Sequence, residues 1–453
     1  MSKAKLDGKF FFATGAVFFL LLGFLWNTKP YLRMGDFKAL YYASQALVHH
    51  QDPYSEANLE QVYISTPENR GLSRTAHAVT MCVNLPTTVV LLTPIALLPW
   101  GVAHWLWAFL IAGSVIFAAY LMWNVSSSWS PRTSGALLFL LLSGSQALLE
   151  IGNAAAIVIS LCVIGAWCLI RERYTSVGIV CLAFALVLKP QDAGFVWLYF
   201  LLAGGYHRRR ALQTLAVVVA LSLPSLVWIH QVSPHWPEEL QANLVFTSAP
   251  GQVNNPTPVV VEPGIHGAMI VSLQTVTSVM VAEPRLYNLL AYLVCAPFIL
   301  SWGITVIRTR PSVERDWLAL AAIAPLSMLV CYHRQHDTRI LLLTVPICAM
   351  LWAERGRAAK IALTVTSIAA MLSSNVILEF FGAITYHLRT SATGFGGELL
   401  NASLGRPVPI VLLAQSIALG FCLVRRTRPS DAPAYSSCSE PLEGFRGQET
   451  PAC

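Results

Sequence analysis

Residues 103–123, AHWLWAFLIAGSVIFAAYLMW, decide the fold of this chain, because the run holds no Asp, Glu, Lys or Arg. A helix crosses the hydrocarbon core of a membrane with about 20 apolar residues, so this run is long enough for one crossing. Lipid offers no hydrogen-bond partner to the backbone, and a helix satisfies its own backbone groups. The run therefore predicts an all-α polytopic membrane protein.

Further apolar segments extend this prediction to a bundle of about twelve transmembrane helices. The longer ones are 10–26, 134–149, 153–170, 211–230, 286–306, 361–378 and 408–424, and the shorter ones are 175–188, 191–205, 317–331 and 340–353. The composition agrees, since 55% of residues are hydrophobic and only 12% are charged. The net charge of +7 is spread over small clusters rather than one stripe, so no nucleic-acid partner is expected.

The positive charges predict the orientation of the bundle. Seven connections carry Lys or Arg, and placing all of them in the cytoplasm gives one consistent alternation with both termini inside. The inner side then holds 19 of the 30 Lys and Arg, counting Arg446 in the tail. We expect residues 1–428 to form the integral domain in the inner (plasma) membrane, and 429–453 to be a disordered cytoplasmic tail.

Three large loops and three tight connections fall on the outer side in this orientation. The loops are 27–102, 231–285 and 379–407, and the connections lie at 150–153, 189–192 and 332–339. Residues 86–99 are apolar but short and broken by prolines, so we predict an outer interfacial or re-entrant segment there. Charged groups at the ends of short helices cost free energy unless they are paired, hydrated or part of a functional site. We therefore expect the functional site on the outer side.

Asp36 opens a polar stretch close to the first predicted span. A carboxylate at the membrane surface could remove a proton from a hydroxyl nucleophile, which makes Asp36 the candidate catalytic base. Helical spacing places Tyr41 and Tyr42 on the same interfacial helix, as an aromatic belt and as substrate contacts. The alternative is that Asp36 caps a helix or pairs with Lys38 or Arg33.

The run His333-Arg334-Gln335-His336-Asp337-Thr338-Arg339 is the densest ionisable stretch on the outer side. Guanidinium and imidazole groups suit a phosphate, so we predict donor-phosphate binding by residues that include Lys189 at similar depth: His333, Arg334, His336 and Lys189. The alternative is an ordinary charged hairpin held by pairing of Asp337 with Arg339.

The remaining polar residues on the outer side are candidate substrate contacts or helix caps. They are Glu150, Asn153, Gln191, Asp192 and Asp337. Cysteine and histidine spacings predict no metal site, and nothing resembles a nucleotide-binding motif. A nucleotide-sugar donor and ATP-driven transport are therefore not expected.

The order of these motifs resembles a known family. Gly35-Asp36-Phe37 with Tyr41-Tyr42, then Asp52-Pro53-Tyr54, the segment 86–99, Gly152-Asn153 and the Lys189-Pro190 corner are similar to glycosyltransferase family 87, an integral-membrane branch of the GT-C superfamily. The likeness runs from residue 10 to about 425. The family often carries Gly-Gln-x-Asn where this chain has Glu150-Ile151-Gly152-Asn153.

The resemblance implies a GT-C-like fold and transfer of a sugar from a polyprenyl-phosphate carrier. The sugar would be a hexose such as mannose, or a pentose, and the acceptor a hydroxyl of a lipid or glycan of the cell envelope. By the same likeness, Asp36 occupies the position of the base. A lipid monophosphate is a good leaving group and cationic side chains can stabilise it, so neither metal nor cofactor is expected. Membrane lipids are the remaining expected partners.

A transporter or lipid flippase is the main alternative, since acids near broken helices also serve coupling ions. The lack of an internal repeat and the one-sided polar cluster count against it. An inactive scaffold protein is a third reading, against which the presence of Asp36 argues mildly.

Overall fold

An all-α fold is confirmed over the part of the chain that the structure describes. This computed structural model describes residues 3–27, 34–66, 81–252, 254–257, 270–374 and 406–427, with single residues 377 and 397. Within these ranges, strand-like pairing is limited to one antiparallel bridge between Ile270 and Arg334. Nearly all of the predicted third outer loop, 379–407, and the whole predicted tail, 429–453, lie outside the described residues.

The helices are numbered in chain order. They are α1 (Lys3–Asn27), α2 (Gly35–Val48), α3 (Glu56–Ser65), α4 (Pro86–Ala96), α5 (Trp100–Ser126), α6 (Pro131–Ser143), α7 (Ala147–Ile151), α8 (Ala155–Ile170), α9 (Thr175–Leu188), α10 (Pro190–Leu202), α11 (Gly205–Val232), α12 (Trp236–Thr247), α13 (Gln274–Met280), α14 (Pro284–Arg308), α15 (Val313–Val330), a 3-10 helix (Gln335–Thr344), α16 (Val345–Ala353), α17 (Arg357–Leu372) and α18 (Pro407–Thr427).

Six stretches among the described residues are long and apolar enough to cross a membrane. They are Lys3–Leu25, Trp100–Ser126, Pro131–Ile151, Gly205–Val232, Pro284–Arg308 and Pro407–Thr427. The helices α8, α9 and α10 have 16, 14 and 13 residues. They span only about 20–24 Å, against a hydrocarbon core of about 30 Å. Each of the twelve predicted segments overlaps helix, although 134–149 is divided by a break at 144–146 and others extend past a helix end, while the count of twelve crossings stays a prediction.

The helices differ in how much of their surface is buried inside the protein. The helices α1, α11 and α14 expose many large apolar side chains, among them Leu21, Leu223 and Leu293, which is the surface that lipid covers. Helix α15 instead buries almost every side chain from Arg315 to Leu329 and forms part of the centre of the bundle. Its two ends reach the surface, where Val313 and Tyr332 are exposed. Residues 332–339 follow, called the hairpin below, and beyond Tyr332 they are buried except for the half-buried Arg334.

Close packing of α1 against α6 depends on small residues. A Cβ on Gly135 would lie 2.1 Å from the carbonyl oxygen of Gly8, so the two backbones touch where neither residue has a side chain. Helices in lipid associate through such contacts, because burial from lipid brings no hydrophobic gain. The first span is thus fixed to the bundle along its length.

A buried polar network joins the ends of α10, α11 and α15. The Tyr199 hydroxyl donates to Asp316 Oδ1 at 2.5 Å, and His207 Nε2 lies 3.0 Å from Asp316 Oδ2. Arg315 NH1 donates to the Tyr199 hydroxyl at 3.0 Å. Each of these groups has its partner within the network, so the network holds helix ends together at the opposite end of α15 from the hairpin.

Candidate active site

Asp36 lies in the first turn of α2, and the chain before it is held in place by the α7–α8 turn. Met34 has a left-handed backbone with φ of 43°, and its N–H donates to the Glu150 carbonyl at 3.0 Å. The Asp36 carboxylate is half-buried and accepts a hydrogen bond from Asn153 Nδ2 at 2.6 Å. The carboxylate is therefore oriented by a side chain from the next polar turn.

The Asn153 side chain forms hydrogen bonds to both α2 and α8. Its Oδ1 accepts from the N–H of Ala155, the first residue of α8, at 2.8 Å, while its Nδ2 donates to Asp36. The contact with Asp36 is not one of the two roles considered from sequence, and the role of Asn153 as a substrate contact stays a prediction. Glu150 contributes its backbone carbonyl to Met34 at the same turn.

Gly152 permits this contact between the two segments. Its φ is +70°, and a Cβ there would lie 2.8 Å from Met34 Cβ and 2.9 Å from Phe37 Cβ. Its carbonyl accepts a hydrogen bond from Trp107 Nε1 at 2.8 Å. Trp107 is a site residue that sequence reasoning missed, because a tryptophan within an apolar span carries no signal that separates it from the core.

We predict that Gly152→Ala destabilises the protein by about 2–3 kcal/mol, because the new Cβ meets both a left-handed backbone and two side chains. Unfolding in detergent would measure the change. Gly113→Ala in α5 is the control, since a Cβ there has nothing within 4 Å and alanine favours the helix. Equal stability of the two variants would contradict the close approach at Gly152.

A four-residue ionic cluster, made of Lys189, Asp192, His333 and Asp337, joins the α9–α10 corner to the hairpin. Lys189 Nζ lies 2.6 Å from Asp337 Oδ1 and 3.0 Å from Asp192 Oδ2. His333 Nε2 lies 2.9 Å from Asp192 Oδ1. The side chains of His333 and Asp192 have no exposed surface, and that of Lys189 is 16% exposed.

The charges of this cluster balance one another. Burial alone would lower the pKa of Lys189, but the carboxylates of Asp192 and Asp337 raise it above its usual range. Burial likewise opposes the charge on Asp337, yet Lys189 holds the pKa of that carboxyl below its usual range. Burial would also lower the pKa of His333, and its contact with Asp192 raises it to about 10. Two cations therefore face two anions at neutral pH.

Arg334 and His336 contact this cluster through Asp337. The backbone N–H of Arg334 donates to Asp337 Oδ2 at 2.8 Å, and the Arg334 residue is half-buried at the start of the 3-10 helix. His336 Nε2 lies 3.5 Å from Asp337 Oδ1, and burial lowers the pKa of this imidazole. Its ring is therefore mostly neutral at pH 7 and can donate one hydrogen bond without carrying charge.

Asp36 and the hairpin occupy the same region of the protein. Burial has the largest effect on the pKa of His336 and of Tyr332, and the negative charge of Asp36 contributes by raising both, which places its carboxylate within electrostatic range of the hairpin. Residues that are about 120 to 300 positions apart in sequence thus come together at one end of the bundle.

Other predicted residues lie elsewhere or have another role. The predicted aromatic belt is wrong, because Tyr41 and Tyr42 are buried and the Tyr41 hydroxyl donates to the Leu98 carbonyl at 2.6 Å. Gln191 is half-buried in the first turn of α10. The alternative pairing of Asp337 with Arg339 is not formed.

The buried Arg339 side chain binds the ends of two helices. Its NH1 donates to the Leu141 carbonyl at 2.7 Å, and its NH2 donates to the carbonyls of Gly144 and Ser373 at 3.1 and 2.7 Å. These carbonyls lie at the C-terminal ends of α6 and α17, where a cation also complements the helix dipole. Among the described residues, no group of three or more His, Cys, Asp or Glu is arranged to hold a metal ion.

Comparison with known proteins gives one match. The family model described as Glycosyltransferase family 87 matches residues 83–332, which is more than half of the chain. Comparisons with curated proteins and with solved structures give no significant match. The matched range contains Asn153, Lys189 and Asp192, while Asp36 precedes it and His333 to Asp337 follow it.

Proposed function

Because the chain belongs to glycosyltransferase family 87, we propose that it transfers a sugar from a polyprenyl-phosphate carrier to a hydroxyl group of a lipid or glycan, with Asp36 as the general base. The apolar helices and the family make it a membrane glycosyltransferase. The carrier, the acceptor and the role of Asp36 belong to the proposal.

One observation carries the proposal: a half-buried carboxylate, held by Asn153, lies within electrostatic range of a hairpin that carries the half-buried Arg334 and the buried His336. A base and a cation are the two groups that displacement of a phosphate requires. The exposed part of Asp36 leaves room for an acceptor hydroxyl.

The chemical step is a single displacement. Asp36 removes the proton from the acceptor hydroxyl, and the hydroxyl oxygen forms a bond to the anomeric carbon of the sugar. The bond between that carbon and the phosphate oxygen breaks, so prenyl phosphate leaves with the electron pair. Attack opposite the leaving group inverts the anomeric carbon.

The four-residue ionic cluster modifies the roles assigned to the cations from sequence. Lys189 and His333 form ion pairs with the carboxylates of Asp192 and Asp337, so these carboxylates neutralise their charge within the protein. In the proposal they hold the hairpin, and Arg334 is the main contact to the donor phosphate. A guanidinium suits this role because it offers paired donors to phosphate oxygens. His336 adds a neutral donor, and Gln191 and Glu150 stay candidate substrate contacts.

The location is proposed from charge. The predicted positive-inside orientation puts Asp36 and the hairpin on the outer side of the inner (plasma) membrane, with both termini in the cytoplasm. The long prenyl chain would then remain in lipid while its phosphate reaches the hairpin. The loops 27–102 and 231–285 would flank that entrance.

We predict that Arg334→Ala raises the KM for a polyprenyl-phosphate sugar about 10–100-fold, which corresponds to the loss of a hydrogen bond to a charged group. Initial rates with purified protein in detergent measure it. Arg285→Ala is the control, because it removes the same charge from an exposed position at the start of α14. An unchanged KM in Arg334→Ala would exclude Arg334 as the phosphate contact.

A further inference from the structure

The short apolar helix α4 contacts the C-terminal end of α9 through two hydroxyl groups. Thr87 Oγ1 donates to the Val187 carbonyl at 2.8 Å, and Thr88 Oγ1 donates to the Leu188 carbonyl at 2.8 Å. The last carbonyls of a helix have no partner within it, and Pro190 supplies no N–H to the turn that follows. The two threonines therefore satisfy the carbonyls directly before Lys189.

The same helix is bonded to α2, which carries Asp36. Ser44 Oγ donates to the Val89 carbonyl at 2.9 Å, and Gln45 Nε2 donates to the Ala96 carbonyl at 3.2 Å. The Tyr41 hydroxyl reaches the Leu98 carbonyl just beyond the end of α4. These bonds attach α2 to α4 from the first turn of α4 to the residues that follow its end.

Helix α4 thus links the two halves of the candidate site. Its 11 residues are too few to cross a membrane, which needs about 20. Thr87 and Thr88 are buried, so their hydroxyls would be costly there without acceptors. Apolar residues of the same shape would suit the site better if only packing mattered.

We propose that α4 is a strut that sets the position of the Lys189 corner relative to Asp36, and that Thr87 and Thr88 are its positioning residues. This inference rests on the proposed function, since it assigns the strut to the same site. Loss of the two hydroxyls frees the end of α9, and Lys189 then moves away from Asp192 and Asp337. The hairpin loses its partner, and the phosphate contact is displaced from the base.

The test compares isosteric variants of one helix in the full-length protein. The double variant Thr87→Val with Thr88→Val removes both hydroxyls and keeps the side-chain shape. The double variant Thr87→Ser with Thr88→Ser keeps both hydroxyl donors. Thr93→Val is the matched control, because Thr93 is equally buried in α4 and its hydroxyl donates only to Val90 of the same helix.

The first measurement does not depend on enzyme activity. Labelling of Lys189 by a small amine reagent is followed by mass spectrometry, with the exposed Lys360 as the reference in each sample. A paired, protonated amine reacts slowly. We expect labelling of Lys189 to rise about tenfold in the double valine variant, the change that loss of two modest hydrogen bonds allows. Labelling in the double serine variant and in Thr93→Val should stay at the wild-type rate.

The second measurement is kinetic. We expect the double valine variant to lower kcat for sugar transfer about tenfold, normalised to the folded protein, with recovery in the double serine variant. Unchanged labelling of Lys189 in the double valine variant overturns the strut, and so does an equal rise in Thr93→Val. If labelling changes as expected but the wild-type protein transfers no sugar, the strut stands as an element that positions Lys189 and only the proposed function fails.

Discussion

Asp36→Asn is expected to lower the rate of sugar transfer by about 100-fold or more, which is the usual contribution of a general base. An amide cannot take the proton from the acceptor hydroxyl. Its oxygen can still accept the hydrogen bond from Asn153 Nδ2, so the start of α2 should keep its position. Initial rates at saturating donor would measure the effect, and donor binding should change little.

The control for this variant is Asp7→Asn. Asp7 on α1 forms an ion pair with Arg132 on α6 at 2.6 Å, and the side chains are 34% and 58% exposed. It carries the same charge change without contact to the site, so transfer should continue at the wild-type rate. A normal rate in purified Asp36→Asn would show that another group acts as the base.

Lys189→Met is expected to destabilise the protein by about 3–5 kcal/mol, because it leaves two carboxylates facing each other in a buried place. Asp192 and Asp337 both contact the ammonium and have almost no exposed surface. His333 can compensate only at Asp192. Unfolding in detergent, followed by circular dichroism, would measure the loss.

Two comparisons separate this effect from loss of any ion pair. Arg132→Met breaks the exposed pair with Asp7, where the side chain of Arg132 is 58% exposed, and should cost less than about 1 kcal/mol. Adding Asp337→Asn to Lys189→Met should recover part of the stability, since one buried charge is removed. Equal losses in Lys189→Met and Arg132→Met would mean that the ionic cluster is not buried as described.

The positions of the helices could be predicted from sequence, because hydropathy responds directly to the solvent that a segment faces. Segment 175–188 coincides with α9, and segment 86–99, predicted as interfacial or re-entrant, contains the short helix α4, while its placement in the membrane stays a prediction. The number of membrane crossings is harder to predict from hydropathy. Helix α8, for example, is apolar because other helices surround it, and not because it faces lipid. A buried helix and a lipid-facing helix have similar composition.

Sequence singles out the polar residues 189, 192, 333 and 337, which the structure brings into contact, but their partners could not be predicted. Lys189 and Asp337 are 148 positions apart, and nothing in either local pattern predicts that they pair. Tyr41 and Tyr42 show a second limit. Aromatic residues are common both at membrane surfaces and in cores, so their pattern does not distinguish an interfacial helix from one covered by α4.

Release of prenyl phosphate tests the central claim most directly. Purified wild-type protein and Asp36→Asn would be incubated with a panel of prenyl-phosphate sugars, a matched panel of nucleotide sugars and an extract of envelope lipids and glycans as acceptor. Mass spectrometry would follow free prenyl phosphate and the glycosylated product. We expect the wild-type protein to release prenyl phosphate from at least one carrier, and Asp36→Asn to release almost none. Transfer from a nucleotide sugar, or equal release by both proteins, would contradict the account.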